Sequence, residues 1–243
     1  MERGNQFVGQ SGAFLDAVER ASRAAPMRRP VLVVGERGTG KELIAERLHR
    51  LSTRWDEPLV VMNCAALPET LIEAELFGHE AGAFTGATKA RAGRFEEADK
   101  GTLFLDELGT LSTGAQERLL RAVEYGEVTR IGSSRPMRVD VRIVGATNED
   151  LPAKAEQGEF RADLLDRLSF EVITLPPLRV REGDAAVDAH LDHAQLHLGH
   201  GVLAHALGVA RLDLDGVAAD VDHAIVELVL LLVRVRVRVR VRV

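Results

Sequence analysis

The sequence has little cysteine and lacks an apolar run long enough to cross a membrane. Cys64 is the single cysteine in 243 residues, which excludes an internal disulfide and a zinc site built from several cysteines. The most apolar run, residues 224–233, is interrupted by Glu227 and is too short to span a bilayer. The N-terminus lacks the apolar core of a signal peptide. We therefore expect no membrane anchor and a cytoplasmic location.

The charge balance also excludes one class of protein. The formal net charge is -6 at pH 7, which argues against a uniformly basic nucleic-acid binder, so any DNA contact should be local. The length is sufficient for one large domain, or for one domain and a small appendage.

A strand followed by a glycine-rich turn forms the strongest motif. Residues 31–34 are all β-branched or leucine, as expected of a buried strand, and helical spacing begins at Glu42. Between them lie Gly35, Glu36, Arg37, Gly38, Thr39, Gly40 and Lys41. Such a turn directs backbone N–H groups and a helix N-terminus at an anion, and the lysine can reach the β- and γ-phosphates. The alternative is a strand-to-helix turn that binds nothing.

Two acids follow another apolar strand. Residues 101–105 predict a buried strand, and Asp106 and Glu107 end it. Glu42 stands where a Ser or Thr usually meets the metal in phosphate loops, so another residue must coordinate magnesium. We expect Asp106 to hold Mg²⁺ and Glu107 to orient or deprotonate the attacking water. The alternative is an acid pair that caps the next helix.

Two further strands end in polar residues, which points to the functional edge of an α/β sheet. Residues 58–64 predict a second buried strand with Asn63 at its polar end, and Asn63 could equally cap a turn. Residues 137–146 predict a strand that ends at Thr147 and Asn148, which could sense a γ-phosphate or position water. A last strand is predicted over 171–175.

A long loop interrupts the pattern of helices and strands. Residues 78–95 contain four glycines, with Phe84 between small residues, and a loop of this length is usually functional. We expect a mobile loop that presents Phe84 to a partner, whereas the alternative is a core phenylalanine. Helices are predicted over 14–24, 70–77, 112–125 and 160–168. Arg161 and Arg167 belong to the last of these helices. They are either surface charges or arginine fingers, which reach the phosphate of a neighbouring subunit.

Together these motifs resemble the AAA+ domain of bacterial enhancer-binding activators that act on sigma-54 RNA polymerase. The matching segments are GERGTGKE at 35–42, ELFGHEAGAFTGA at 75–87, GTLFLDE at 101–107, ATN at 146–148 and FRADLLDRL at 160–168. The GAFTGA segment is the most specific, because other P-loop ATPases lack it. A start without a receiver or sensory domain is most similar to the phage shock operon activator.

The resemblance implies a fold, a reaction and partners. The fold is an α/β P-loop AAA+ core, with a parallel sheet flanked by helices, over residues 1–180. The reaction is ATP hydrolysis with Mg²⁺ in a hexameric ring. It remodels the closed complex of sigma-54 RNA polymerase on promoter DNA, and a negative regulator could act on the ring.

The resemblance also implies site residues. Asn63 would restrain Glu107 until the nucleotide state changes, Thr147 and Asn148 would form the first sensor, and Arg161 and Arg167 would act in trans. The nucleotide would bind at Gly35, Glu36, Arg37, Gly38, Thr39, Gly40, Lys41 and Glu42. The partner would bind at Gly82, Ala83, Phe84, Thr85, Gly86 and Ala87.

Residues 181–243 depart from the family, which has a helical lid with a second sensor arginine there. No lysine follows Lys154, six histidines fall between 190 and 223, and Val alternates with Arg over 233–243. These residues are either a low-complexity segment or, at His190, His193, His197 and His200, a metal site. A reading-frame change could have replaced the lid, and the alternative function is therefore a nucleotide-binding interaction module with impaired hydrolysis.

Overall fold

The computed structural model describes residues 9–181. Within this range the helices are α1 (Gly12–Ala24), α2 (Lys41–Arg50), α3 (Glu69–Phe77), α4 (Arg94–Glu97), α5 (Thr113–Tyr125), α6 (Leu151–Glu156) and α7 (Ala162–Leu168). The strands are β1 (Val31–Val34), β2 (Leu59–Asn63), β3 (Thr102–Asp106), β4 (Glu127–Thr129), β5 (Pro136–Arg138), β6 (Arg142–Thr147) and β7 (Glu171–Thr174). No helix of these residues combines the length and hydropathy that crossing a membrane requires.

Five strands form one parallel sheet in the order β2-β3-β6-β1-β7. Parallel neighbours need crossover connections, and the helices supply them on both faces of the sheet. The predicted α/β core with a parallel sheet flanked by helices is therefore confirmed. All five carboxyl ends meet at one edge, which carries the polar strand ends predicted from the sequence.

Alternate side chains of each central strand enter two separate apolar cores. Val31 and Val33 of β1 pack on one face with residues of α1 and α2. Leu32 lies on the other face, in a cluster that includes Phe77 of α3 and Leu119 of α5. Because both faces are covered, a strand such as β1 reads as an unbroken apolar run rather than as an alternating one.

The expectation that residues 58–64 form a buried strand was wrong in one respect. β2 occupies this stretch but is an edge strand of the sheet formed by residues 9–181, where it pairs only with β3, and Val61 is 46% exposed. An apolar run cannot reveal whether a second neighbour will cover it, because β-propensity measures fit to a half-buried pleated surface.

The single strand expected over 137–146 was also wrong. The chain is divided into β5, which pairs antiparallel with β4, and β6, which enters the main sheet. Between them the carbonyl of Asp140 accepts hydrogen bonds from the Lys100 amide (2.9 Å) and the Arg54 side chain (2.6 Å). These bonds hold the chain as it leaves one sheet for the other.

The remaining boundaries agree with expectation to within a few residues, apart from α4 and α6, which were not expected from the sequence. Ile44 and Leu48 form the buried side of α2, whereas Leu51, which follows the helix, is exposed. The expectations for the histidine cluster, the altered lid and the Val-Arg tail lie beyond residue 181, outside the described residues.

Candidate functional site

The predicted phosphate loop closes around the side chain of Lys41. Its Nζ donates to the carbonyls of Gly35 (3.1 Å) and Glu36 (3.2 Å), and the residue is buried. Gly40 is the N-cap of α2 with φ +90°, a left-handed conformation that favours glycine. Thr39 Oγ1 donates to the Glu36 carbonyl (2.8 Å). The loop therefore encloses a positive charge directly at the start of a helix, as an anion site requires.

Pairing of the central strands brings the sequence-predicted groups to the same edge. The Gly35 amide donates to the carbonyl of Thr147 (3.1 Å), so the loop joins the end of β6 directly. Arg37 Nε lies 3.5 Å from Glu107 Oε1. Asp106 is in register with Asn63 of β2. One edge of the sheet thus holds a cationic loop next to two carboxylates.

The two acids do not cap a helix by their side chains. The turn after Glu107 has no side-chain cap, and the Ser112 side chain caps α5 instead. Asp106 Oδ1 accepts from the Glu107 amide (2.9 Å), and Glu107 has φ +53°. Residues 9–181 contain no group of three or more His, Cys, Asp or Glu able to hold a metal. The carboxylates of Asp106 and Glu107 nevertheless suit Mg²⁺, because this ion commonly takes one or two carboxylates together with water and phosphate oxygens.

Asn63 and the Thr147–Asn148 pair lie at neighbouring positions on this edge. The Asn63 side chain accepts from the Ala65 amide (2.8 Å), the turn-capping contact that the sequence left open. Its restraint of Glu107 stays a prediction. Thr147 Oγ1 is buried and accepts from the Glu149 amide (3.0 Å). Thr147 and Asn148 line a mainly apolar cleft of about 400 Å³.

Cys64 is buried close to the carboxylates of Asp106 and Glu107. Burial, and then the negative charges of Asp106 and Glu107, raise the pKa of its thiol to about 12. The side chain is therefore a neutral thiol at physiological pH, which makes it a poor nucleophile.

Two arginines that the sequence analysis missed contact the phosphate loop from residues that follow β7. Arg179 makes a bidentate pair with Glu36 (2.6 and 2.7 Å), and this hydrogen bonding lowers the pKa of the Glu36 carboxyl. Arg181 is buried and donates through Nη2 to the carbonyl of Thr39 (2.7 Å). No pattern in the sequence indicates these contacts, because the partners are 143 and 142 residues apart.

A second missed cluster connects the end of β6 to the turn after Glu107. Glu149 Oε2 lies 2.7 Å from Lys154 Nζ, and Lys154 Nζ donates to the carbonyl of Gly109 (3.0 Å). A Cβ at Gly109 would lie 1.9 Å from Glu149 Oε2. Glycine is therefore required at 109 if this carboxylate keeps its place.

The predicted partner-binding loop has a hydrogen-bonded tip. The Gly82 amide donates to the Ala87 carbonyl (2.7 Å), and the Ala87 amide donates to the Phe84 carbonyl (3.0 Å). Phe84 is 39% exposed, with its ring centroid 5.0 Å from that of His79. Thr85 and Gly86 are exposed. A Cβ on Gly132, in the β4–β5 connection, would come within 2.9 Å of the Ala83 Cβ.

The stem of this loop is held by backbone pairing and by one arginine. His79 and Arg91 exchange backbone hydrogen bonds (3.0 and 2.9 Å). Arg130 binds Glu96 (2.7 and 2.9 Å) and lies 3.3 Å from Glu80. Hydrogen bonding to Arg130 lowers the pKa of the Glu96 carboxyl. The stem is therefore fixed to α4 and to the residues that follow β4, while Phe84, Thr85 and Gly86 of the tip are exposed.

Arg161 is the N-cap of α7 and Arg167 lies in its last turn, and each pairs with a carboxylate outside the phosphate loop. Arg161 pairs with Asp163 (2.7 Å) and Arg167 with Glu124 (2.7 Å). Within residues 9–181, neither guanidinium forms a hydrogen bond or ion pair with residues 35–42.

The sequence matches known proteins and a known family. Residues 7–174 match the model of the sigma-54 interaction domain. The chain is 61% identical over 180 residues to the Psp operon transcriptional activator of Escherichia coli K12, covering 74% of this chain and 55% of that protein. It is 53% identical over 180 residues to the Nif-specific regulatory protein of Azotobacter vinelandii, covering 74% and 34%.

A solved structure supports the fold. The structure of NtrX from Brucella abortus in complex with ATP aligns with a TM-score of 0.74 and 32% identity, covering 81% of this chain and 42% of that one. The present chain thus spans about half the length of the first curated relative and a smaller part of the others.

Proposed function

This chain belongs to the sigma-54 interaction domain family, and on that premise we propose that residues 1–180 form an AAA+ ATPase domain. Its hydrolysis of ATP drives the closed promoter complex of sigma-54 RNA polymerase towards the open state. The observation that carries this proposal is the 3.5 Å approach of Arg37 to Glu107. It joins the phosphate loop to the carboxylates that would act on a bound triphosphate.

The proposed roles in hydrolysis follow from the contacts of each group. Lys41 already lies inside the loop on two carbonyls, and phosphate oxygens would compete with those carbonyls for its charge. Asp106 would hold a magnesium ion, which neutralises charge on the β- and γ-phosphates when bound. Glu107 has a largely buried side chain and would orient the attacking water.

The other predicted residues would report the nucleotide state or complete the site. Thr147 and Asn148 would act as the sensor, supported by the hydrogen bond between Gly35 and Thr147. Arg161 and Arg167 would reach the nucleotide of a neighbouring subunit in a hexamer. Within residues 9–181 their guanidinium groups pair with Asp163 and Glu124 and not with their own phosphate loop, which supports action in trans.

The loop that carries Phe84 would transmit the change to sigma-54 and promoter DNA. Its exposed tip supports this role, because a partner can reach Phe84 without unfolding the stem. For hydrolysis to move the loop, the protein must have two states that differ in loop position. These two states must bind the nucleotide with different affinities.

The test combines hydrolysis with promoter opening. The purified chain should hydrolyse ATP with magnesium and convert closed sigma-54 complexes to open ones, whereas Glu107→Gln should bind ATP without turnover. Absence of turnover at every protein concentration would instead favour the nucleotide-binding interaction module.

A further inference from the structure

Arg181 lies outside the phosphate loop and binds the loop backbone rather than a loop side chain. Its Nη2 donates to the carbonyl of Thr39 (2.7 Å) and its Nε to the carbonyl of Pro176 (2.8 Å). The guanidinium carbon lies 4.3 Å from the centroid of the Phe14 ring of α1, and the residue is 5% exposed. Two hydrogen bonds and one contact with an aromatic ring thus hold the side chain.

The Thr39 carbonyl belongs to the same peptide as the Gly40 amide. A trans peptide is planar, so its C=O and N–H point to opposite sides, and no peptide of the described residues is cis. A guanidinium that fixes the Thr39 oxygen therefore fixes the direction of the Gly40 N–H. A charged donor on the oxygen also polarises the peptide, which strengthens its N–H as a donor.

Gly40 could otherwise reorient easily. It has φ +90° and no Cβ, so rotation of the peptide before it meets little steric resistance. An amide at this position, directly before Lys41 and the first turn of α2, is among those that face an anion in such loops.

We propose that Arg181 is a positioning residue for the phosphate loop: by binding the Thr39 carbonyl it holds the Gly40 N–H directed towards the phosphate groups of a nucleotide. This inference rests on the proposed nucleotide-binding function and adds to it a residue outside the loop. Its consequence is that the chain segment after β7 controls affinity for triphosphate.

Arg179 provides a matched control. It lies two residues earlier and also contacts the loop, but it binds the exposed side chain of Glu36 rather than a carbonyl. An arginine that acts only through charge near the loop would act equally from either position.

The experiment compares Arg181→Met, Arg181→Lys and Arg179→Met in the full chain. The dissociation constant of a fluorescent ATP analogue with magnesium is measured at equilibrium, and the chemical shift and hydrogen exchange of the Gly40 amide are followed by NMR without nucleotide. Thermal unfolding of each variant without nucleotide reports on folding.

We expect Arg181→Met to weaken binding about tenfold, the effect of losing one charge-assisted hydrogen bond, and to speed exchange of the Gly40 amide. Arg181→Lys keeps the positive charge and a hydrogen-bond donor, so its dissociation constant should lie between those of the parent and Arg181→Met. It tests the proposal even where the Met variant folds poorly. Arg179→Met should weaken binding less than Arg181→Met does, because it breaks only a pair with the exposed Glu36 side chain.

Two results would overturn the inference in distinguishable ways. If the parent chain binds the analogue and a folded Arg181→Met or Arg181→Lys binds it as tightly with unchanged Gly40 exchange, Arg181 has no positioning role. If the parent chain itself fails to bind, the proposed function falls, and this inference falls with it.

Discussion

Arg37 Nε lies 3.5 Å from Glu107 Oε1, so an exposed arginine of the phosphate loop contacts the acid that follows β3. The pair places a cation beside one oxygen of the carboxylate. Because one partner is largely solvent-exposed, the pair contributes at most about 1 kcal/mol. Its effect on turnover is therefore limited to roughly fivefold.

From this pair we predict that Arg37→Met raises basal ATP turnover by up to about fivefold, because it frees Glu107. Steady-state hydrolysis at saturating ATP measures the effect. Arg37→Met in a Glu107→Gln background should add nothing. Slower turnover in the single variant would show that Arg37 assists catalysis rather than restrains the acid.

Replacing Phe84 should separate hydrolysis from promoter opening. Phe84→Ala removes a partly exposed ring from the loop tip, while the phosphate loop and the acids keep their contacts. We expect ATP turnover to change by less than about threefold while open-complex formation is lost. Tyr125→Ala, at an exposed aromatic outside the loop, is the control and should retain both activities. Equal loss of both activities in Phe84→Ala would refute the role of the loop.

A methyl group at position 109 should disturb the turn after Glu107. In Gly109→Ala the new Cβ would lie 1.9 Å from Glu149 Oε2, so the carboxylate or the turn must move. We expect slower turnover and a lower melting temperature. Gly109→Ala with Glu149→Ala should recover much of the loss, because the clashing oxygen is gone. Failure of the double variant to recover would place the strain elsewhere.

Arg142 should be important for stability rather than for function. It is buried, and it donates to the carbonyls of Ala24, Ala25 and Arg29. Burial, with the nearby charge of Arg54, lowers its pKa to about 10, so it stays charged at neutral pH. Arg142→Met should lower the free energy of unfolding by roughly 2–4 kcal/mol, because buried carbonyls lose a charged donor. Urea titration tests this, and Arg138→Met, at an exposed arginine of β5, should cost little.

His49 predicts a pH dependence of stability. Burial lowers the pKa of its imidazole, whose Nδ1 lies 3.0 Å from Thr102 Oγ1. The unfolded chain therefore binds a proton at a higher pH than the folded chain, so this contribution to stability is present above pH 6.5 and falls as the pH drops below it.

Urea unfolding at pH 7.5 and 5.5 measures this effect. We expect the parent to lose more stability between the two values than His49→Gln, because the glutamine cannot titrate. An identical loss in both chains would show that His49 does not contribute to the acid sensitivity.

The sequence predicted the centre of the site better than its surroundings. The phosphate loop and the acids after β3 were recognisable, because an apolar strand that runs directly into glycines or carboxylates is typical of the ligand-binding edge of an α/β sheet. The helix α6 was missed although Asp150 at its N-cap, with a side chain that accepts from the Ala153 amide, is a local start signal.

The long-range contacts could not be predicted in the same way. Arg181 meets Thr39, and Glu149 approaches Gly109, only because the parallel sheet brings distant chain segments to one edge. Periodicity describes which face of an element is apolar, but not which backbone carbonyl a particular arginine will find.

The six residues of β6 are all buried, and Arg142 at its first position is tied to the end of α1. Because β6 is held at its first residue and covered on both faces, it has little room to slide within the sheet. Under the proposed sensor role of Thr147, a response to phosphate would therefore involve the residues that follow, beginning with Asn148 and Glu149.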